Sequence, residues 1–380
     1  MFLFRGIFGV TDTIGSVAAE GRRNYRRVLD GMENIKHRYS LAGRTMTDYV
    51  STTPGLYPLP DWAKDDLSDL KGHQKHDLIS GDESEEITAA YEEAREEVIG
   101  VQQDADLDRI VEGQLRWDDM LAHPLAVHDA VETRGIVRYY DNNNFYREPV
   151  VQDDLGFSGD VANELEAAAE LLEADDDLQA VLPGPYSLAD LATDEQYGDE
   201  AEFLGAIADF LEGEVDAFPE HETLFLLEPS LVESAPEDGL DERASEAIDQ
   251  VAGATDADVV VQPYWGALEE KVYAHLLDAD IDAVGFDFVA EQDDNLYNIQ
   301  EYGATDDVSL GLADGQNTLV EDPEAIRDRV EWVYDQLPVA EFETVYLTTN
   351  TETFYLPSGK FEAKLEILAE AAALAEVKAA

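Results

Sequence analysis

Glu222-Thr-Leu-Phe-Leu-Leu-Glu-Pro-Ser-Leu231 is the stretch that carries the clearest fold signal. Leu224 to Leu227 is a short, wholly apolar run, which is typical of a strand buried on both faces of a parallel sheet. Pro229 has no backbone N–H to donate, so a central strand must stop before it. Glu228 therefore follows a buried strand directly, which is where α/β barrels carry their catalytic groups. The alternative is that Glu228 caps a helix or is a solvated loop acid.

Similar apolar runs recur along the chain and alternate with helical patterns. We predict eight strands, at 49–55, 135–140, 178–182, 224–227, 258–262, 283–288, 308–314 and 344–350. Apolar residues between them recur at helical spacing, for example from Ala105 to Met120. Eight such units over about 330 residues predict an α/β fold, a single (β/α)8 TIM barrel in residues 46–380. A doubly wound open sheet is the alternative, but its glycine-rich phosphate loop is missing after the first strand.

The composition is strongly acidic. The chain has 86 acidic and 24 basic residues, a formal net charge of −62, yet 44% of it is hydrophobic, as in a folded protein. Repulsion between surface carboxylates is tolerable in salt, since the Debye length is about 3 Å at 1 M. We interpret the chain as a halophilic, cytoplasmic protein that binds neither nucleic acid nor a membrane. Without cysteine it has no disulfide and no thiolate ligand for zinc.

The first 45 residues differ from the rest in charge, because they hold 8 basic and 4 acidic residues. No small-residue cleavage site follows the apolar stretch from Phe2 to Val10, which argues against a secretory signal. The charge break favours a protein that starts at Met46, with residues 1–45 as a non-native or disordered N-terminal extension of helical character. The alternative is a basic helix face for an acidic partner, formed by Arg22, Arg23, Arg26 and Arg27.

The predicted barrel places the residues that follow its strands on one rim. They are Gly55, Tyr139 to Asn142, Pro185 to Ser187, Glu228, Gln262 to Trp265, Asp287, Asp314 to Asn317, Thr349 and Asn350. Polar and aromatic groups that converge on one face of a rigid fold predict a small-molecule site. Each residue taken alone could instead serve a turn or a helix cap.

Short motifs recur in a fixed order along the chain, four of them at predicted strand ends and one within the stretch from Ala105 to Met120. They are Thr52-Thr-Pro-Gly-Leu-Tyr-Pro58, Val111-Glu-Gly-Gln-Leu-Arg-Trp-Asp118, Pro183-Gly-Pro185, Leu227-Glu-Pro-Ser-Leu231 and Gly311-Leu-Ala-Asp-Gly-Gln-Asn317. Over residues 49–373 the chain thereby resembles the cobalamin-independent methionine synthase family, whose fold is this barrel. Leu56 stands where the family usually has serine, and Gln114 replaces an acid. The resemblance implies methyl transfer from methyl-folate or methylcobalamin to homocysteine.

The resemblance also implies roles for individual residues. Catalytic roles would fall to Glu228, Asp287 and Asp314, and binding roles to Gly55, Glu112, Arg116, Tyr186, Tyr264, Trp265, Asn317 and Asn350. Glu228 would contact the substrate ammonium or support the rim, and Asp287 would orient a pterin or an amino group. Tyr264 and Trp265 would stack on a flat ring. Arg116, Arg138 and Lys271 could hold a carboxylate, although for Lys271 we favour pairing with surface acids.

The zinc ligands of the family have no counterparts here. Its catalytic barrel uses a His-x-Cys pair after strand five, a Glu after strand six and a Cys after strand eight. Those places hold Tyr264 and Trp265, Asp287, and Thr349 and Asn350, so no zinc is expected in this chain. The resemblance is therefore to the zinc-free N-terminal type of barrel, and it implies a methyltransferase component that works with a zinc-bearing paralogue. The alternatives are a non-catalytic partner subunit of that paralogue and a metal-independent enzyme such as the uroporphyrinogen decarboxylases.

Overall fold

The structure, a computed structural model, describes residues 47–69, 83–140, 144–337 and 341–379. The predictions for residues 1–45 and for a start at Met46 lie outside these ranges, as do those for positions 141 and 142 of the rim.

Eleven strands are present in the described residues. They are β1 (Asp48–Ser51), β2 (Ile110–Val111), β3 (Val131–Arg138), β4 (Phe145–Val151), β5 (Leu178–Pro183), β6 (Thr193–Asp194), β7 (Thr223–Leu227), β8 (Asp258–Gln262), β9 (Ala283–Asp287), β10 (Asp307–Ala313) and β11 (Thr344–Thr349). Eight of them form one parallel sheet in the order β1-β11-β10-β9-β8-β7-β5-β2. The run at Leu224 to Leu227 is fully buried in the middle of this sheet, as the apolar pattern predicts.

Hydrogen bonds outside the strand ladders join β1 and β2, the first and last strands of the sheet. Ser51 N donates to Asp108 Oδ2 at 2.8 Å, and Tyr57 N donates to the Gly113 carbonyl at 2.9 Å. The sheet is therefore curled, and its two ends are linked through loops rather than through paired backbones. The predicted α/β barrel class is confirmed.

The prediction for the second barrel strand was wrong. Gly135 to Tyr140 overlaps β3, but β3 pairs antiparallel with β4 in a separate sheet of order β3-β4-β6. It lies partly in solvent, with the Ile136 side chain 74% exposed. The second barrel strand is the two-residue β2, within the stretch predicted to be a helix from Ala105 to Met120. Two residues are too short to show a period, so the pattern did not reveal this strand.

Helices connect the strands and cover the sheet. Their bounds are α1 (Asp61–Asp69), α2 (Glu85–Asp104), α3 (His123–Ala126), α4 (Asp160–Ala169), α5 (Pro185–Asp190), α6 (Glu200–Val215), α7 (Ser230–Glu233), α8 (Leu240–Ala252), α9 (Glu270–Leu276), α10 (Gln292–Tyr302), α11 (Pro323–Gln336) and α12 (Ser358–Ala379). Asp199 caps α6 by accepting the backbone N–H groups of Ala201 and Glu202, and Asp322 caps α11 in the same way. Within the described chain, no helix is both long and apolar enough to cross a bilayer.

Candidate functional site

The carboxyl ends of the parallel strands form a rim at which the backbone is strained. Leu56, Gln114, Tyr140 and Trp265 have φ angles of +49°, +51°, +49° and +73°, a region that side-chain-bearing residues rarely adopt. Leu56, Gln114 and Trp265 follow β1, β2 and β8, whereas Tyr140 follows β3 of the antiparallel sheet and packs against Trp265 at this rim. Strained residues persist only where the surrounding structure holds them, and they cluster at functional sites. The rim is therefore the candidate site.

Glu228 lies at the rim as predicted, but its carboxylate is already bonded. Oε1 accepts the Tyr186 N–H at 3.0 Å, and Oε2 accepts the Ser187 N–H at 2.8 Å and the Ser187 hydroxyl at 2.7 Å. A Cβ on Gly184 would lie 2.2 Å from this carboxyl group, which is why the Gly-Pro motif needs glycine there. Burial raises the pKa of Glu228 to about 7. The side chain thus fastens the start of α5 to the end of β7.

Asp287, Trp265 and Asn350 come together, as the barrel predicts. Asp287 Oδ2 accepts the Trp265 N–H at 2.9 Å, and Asn350 Nδ2 donates to Asp287 at 3.0 and 3.1 Å. Oδ1 also accepts the N–H groups of Val289 and Ala290. Burial raises the pKa of Asp287. Both oxygens are occupied, so in this arrangement Asp287 positions the Trp265 backbone and Asn350.

The sequence argument missed Glu352, a further carboxyl group at the rim. It follows β11 and is fully buried, and its Oε1 accepts Gln316 Nε2 at 3.4 Å. Its carboxyl group also interacts with the Tyr264 hydroxyl, and Tyr264 interacts in turn with the Tyr139 hydroxyl, so the three groups form one buried cluster. Burial raises the pKa of Glu352 to about 7. The sequence did carry a signal for this residue, because Glu352 is an acid that lies two residues after Asn350, at the end of the eighth predicted strand.

Aromatic rings pack beside Glu352. Tyr264 meets Trp265 edge to face with 4.8 Å between ring centroids, and Tyr140 meets Trp265 at 4.9 Å and Tyr139 at 4.7 Å. Tyr139 and Tyr264 are fully buried, whereas Tyr140 and Trp265 are half-buried. We call Tyr139, Tyr140, Tyr264 and Trp265 the aromatic wall.

Arg116 and Glu112, the predicted binding residues on the β2 side, are already engaged in ion pairs. Arg116 Nη1 lies 2.8 Å from both Glu83 oxygens, Nε lies 3.2 Å from Glu164, and the guanidinium stacks over Tyr91 at 4.4 Å. Glu112 pairs with Arg95 at 3.4 Å, and burial together with Glu164 raises its pKa to about 7.

The other predicted site residues shape the local backbone or form hydrogen bonds with backbone groups. Gly55 has a φ of +82°, and an added Cβ would meet Gln114 Oε1 at 2.4 Å. The Tyr186 hydroxyl donates to the Ser234 carbonyl at 2.7 Å. Asp314 accepts the Gln316 N–H at 3.0 Å, and the exposed Asn317 accepts the Leu319 N–H at 3.0 Å.

Arg138 and Lys271, the other two cations considered as partners for a substrate carboxylate, lie elsewhere. Arg138 is exposed at the end of β3. Lys271 pairs with Asp238 at 2.8 Å and Asp241 at 2.7 Å, so the surface pairing favoured for it is confirmed.

The groups at the family's zinc positions do not fit a zinc ion. Zinc in proteins is held by thiolate, imidazole and carboxylate groups. Tyr264 is a phenol whose pKa burial raises well above its usual value, and the Asp287 oxygens are filled by other donors. Thr349 Oγ1 donates to the Thr351 carbonyl, and Asn350 offers an amide. No zinc step is therefore assigned to this rim.

Comparison with known proteins gives a family match over most of the barrel. Residues 128–338 match the family described as cobalamin-independent synthase, N-terminal domain. The chain is 22% identical over 293 residues to the methionine synthase of Saccharolobus solfataricus, covering 76% of this chain and 84% of that protein. It is 21% identical over 249 residues to the 5-methyltetrahydropteroyltriglutamate–homocysteine methyltransferase of Bacillus subtilis, 64% of this chain but only 32% of that longer protein.

Solved structures share the fold. A B12-independent methionine synthase from Shewanella sp. W3-18-1, in complex with selenomethionine, superposes with a TM-score of 0.70 at 16% identity, over 87% of this chain and 98% of that one. A methyltransferase from Methanosarcina mazei superposes with a TM-score of 0.52 at 8% identity, over 86% and 94%.

Proposed function

Because the chain belongs to the cobalamin-independent methionine synthase family, we propose that it is a methyltransferase component of methionine biosynthesis, acting in methyl transfer to homocysteine. The methyl donor is methyl-folate or methylcobalamin. The observation that carries the proposal is the rim itself, where polar groups from six strand ends and the aromatic wall meet on one face. Such a mixture of apolar surface and a few placed polar groups is typical of a small-molecule site.

Activation of the homocysteine thiol is assigned to a second protein. The reaction moves a methyl group to sulfur while the thiol proton leaves, and a thiolate-forming centre is needed for it. Since the groups at the rim do not fit zinc, we propose a zinc-bearing paralogous barrel as the partner. This chain would then supply the methyl-donor side of the reaction, with the aromatic wall packing on the donor.

The assay that tests this is methyl transfer to homocysteine in molar potassium chloride. The chain is assayed alone and then with a Cys/His-bearing relative from the same source, with methyl-folate and methylcobalamin offered in turn. We expect turnover only in the mixture. Turnover by the chain alone would refute the division of the reaction between two proteins. Absence of turnover in both assays would refute the methyltransferase role.

A non-catalytic partner subunit is the second candidate. It is favoured by the state of Glu228 and Asp287, whose carboxylates are both saturated by internal hydrogen bonds. Ligand-induced stabilisation separates the two candidates, because a ligand at a hundredfold excess over Kd stabilises the folded state by about 2.7 kcal/mol. No shift in Tm with either methyl donor or with homocysteine would favour the subunit.

We also propose that the protein works in a salt-rich cytoplasm. The support for this is the net charge of −62, which only concentrated salt screens over short distances.

A further inference from the structure

We propose that the exposed part of the β3–β4 hairpin is a self-association surface, through which two copies of this chain form a two-fold symmetric dimer. The surface consists of Arg134, Ile136, Arg138 and Phe145, which are all exposed and which we call the hairpin patch. It lies on the sheet β3-β4-β6, which is separate from the barrel sheet. The dimer is therefore independent of the proposed reaction and of a zinc-bearing partner.

The first observation is that the two apolar side chains of the patch lie together in solvent. Ile136 is 74% exposed and Phe145 is 55% exposed. In the register of the hairpin, Ile136 is opposite Arg147 and Arg138 is opposite Phe145. Opposite residues project from the same face of a sheet, as do residues two apart on one strand. Ile136 and Phe145 therefore share a face, and such contiguous exposed apolar surface is typical of a protein contact.

The second observation is the charge of the hairpin. β3 and β4 together hold three arginines and two glutamates, whereas the whole chain has 86 acidic and 24 basic residues. Protein interfaces are enriched in aromatic and arginine side chains and depleted of acids, as these two strands are. A second copy presents the same nearly neutral surface. The two patches can therefore approach each other without the repulsion that acidic surfaces of this chain would meet.

The third observation is that the two ends of β3 are complementary in charge. Arg138 is exposed where β3 ends. At the other end, Arg134 donates to Glu132 at 3.0 Å and to Glu195 at 2.7 Å, and both of these acids are exposed. A two-fold axis beside Ile136 reverses the second strand, so it brings Arg138 of each copy to the acidic end of the other. A symmetric contact requires this kind of self-complementarity.

The shape of β3 indicates that side chains, rather than a shared backbone ladder, make the contact. β3 is the terminal strand of its sheet in the described part of the chain, and its register with β4 shifts between Thr133 and Ile136. Such a bulge bends an edge strand and discourages continuous pairing with another strand. The hairpin patch therefore packs on its symmetry mate through Ile136 and Phe145, with the charged groups around them.

The patch is connected to the candidate site along the chain. Tyr139 and Tyr140 directly follow β3 and belong to the aromatic wall, and the Tyr140 hydroxyl lies 2.9 Å from Ser230 Oγ. A second copy on the patch would brace the strand that positions these two rings.

The first experiment measures the mass of the full chain by sedimentation equilibrium in molar potassium chloride. We expect about twice the 42.0 kDa of one chain. The dimer should weaken as salt is lowered while circular dichroism shows that the chain is still folded, because repulsion between the net charges of −62 then acts over a longer range. The mass of a single chain in molar salt would overturn the proposal, even if a Cys/His-bearing relative binds to the patch.

The second experiment locates the two-fold axis by cross-linking, since the chain has no cysteine of its own. Ile136→Cys should form a disulfide between two copies under mild oxidation, because a disulfide requires Cα atoms within about 7 Å of each other. The matched control is Leu319→Cys, at a residue that is 69% exposed but lies in the loop after β10. It should cross-link only through random collisions. Equal cross-linking of the two variants would contradict the proposed axis.

Substitutions test the contributions of the patch. Ile136→Ser should weaken the dimer about 10-fold or more, as loss of a central apolar side chain does, and Leu319→Ser should leave it unchanged. Arg138→Glu should also weaken the dimer, and adding Glu132→Arg to the same chain should restore part of the loss, because the exchanged charges again face each other across the axis. A dimer that none of these patch variants weakens would form through another surface, and the proposal would be wrong.

Discussion

At the scale of single residues, the carboxylates of the rim differ in their hydrogen bonds. Glu228 and Asp287 lie where buried strands end, and both are saturated by backbone N–H groups. Glu352 is held by side chains instead, with Gln316 Nε2 at 3.4 Å and the Tyr264 hydroxyl as its donors. A buried acid saturated by backbone groups is part of the fold, because its removal leaves those backbone donors unpaired.

Glu228→Gln tests the structural role of Glu228. From sequence alone, this change should leave folding intact and remove ligand binding. The structure leads us to expect a loss of about 1–3 kcal/mol, because the amide would face backbone donors with its own N–H groups. Denaturant unfolding measures this, with the exposed Glu220→Gln as control. Unchanged stability together with lost ligand binding would return Glu228 to the catalytic role.

Gly184→Ala tests the close approach of α5 to the end of β7. The new Cβ would lie 2.2 Å from the Glu228 carboxyl group, so we expect destabilisation of about 1–3 kcal/mol from overpacking. Gly205 is the matched control, because an added Cβ there meets nothing within 4 Å and the residue lies inside α6. Gly205→Ala should be neutral or stabilising by up to about 1 kcal/mol. Equal effects of the two changes would contradict the packing argument.

At the scale of elements, α12 holds the rim loop that follows β10. Lys364 on α12 is fully buried, and its Nζ donates to Glu321 Oε2 and the Leu319 carbonyl, both at 2.7 Å. Glu321 Oε1 in turn accepts the Asp314 N–H at 2.8 Å. Through this relay α12 fixes the segment that carries Gln316, the partner of Glu352.

Lys364→Met should therefore loosen this loop as well as destabilise the protein. Removing one partner of a buried pair costs about 3–5 kcal/mol, and less here because Glu321 is 21% exposed. The measurement is a double-mutant cycle with Glu321→Gln, in which the free energy of unfolding of each variant is compared. We expect a coupling energy above about 1 kcal/mol. Additive effects would mean that the pair acts independently.

The elements also show which parts of the barrel could be predicted. Strands such as β7 and β8 are continuous apolar runs because both of their faces are buried, so the pattern locates them. β2 was missed because it has only two residues, and its place in the sheet depends on pairing with β5. β3 was correctly recognised as a strand but placed in the wrong sheet, because pattern does not specify the partner of a strand.

At the scale of the whole molecule, buried acids make stability depend on pH. Burial raises the pKa values of Glu112, Glu228, Asp307 and Glu352 to about 7. The folded state therefore binds protons that the unfolded state, with ordinary pKa values near 4, has already lost. The stability due to these groups is greatest below about pH 4 and is lost as pH rises through 7.

We accordingly expect Tm to fall as pH rises from 5.5 to 8 at constant molar salt, a range that stays above the sequence pI of about 4.1. Calorimetric scans measure this. Asp307→Asn should flatten the dependence, because it removes one of the four groups. A Tm that rises over this range would show that these acids are not held neutral.

Salt should stabilise the folded chain as a whole. The net charge of −62 opposes compaction, and screening shortens the range of that repulsion from about 10 Å at 0.1 M to about 3 Å at 1 M. We expect Tm to rise steeply with potassium chloride between these concentrations, and to rise little with an uncharged osmolyte at equal osmolality. An equal response to both would mean that solute exclusion dominates over screening.

The sequence by itself determined the α/β barrel, the rim and the family. Burying a strand on both faces requires continuous apolar residues, and the family's motifs lie in the chain at the ends of such strands. Only the tertiary structure decided which groups pair with the acids of the rim. The partners of Glu228 and Asp287 come from segments 41 and 63 residues away, around Ser187 and at Asn350, and no local pattern encodes those contacts. Glu352 is likewise paired with side chains that come from other strand ends, Tyr264 and Gln316.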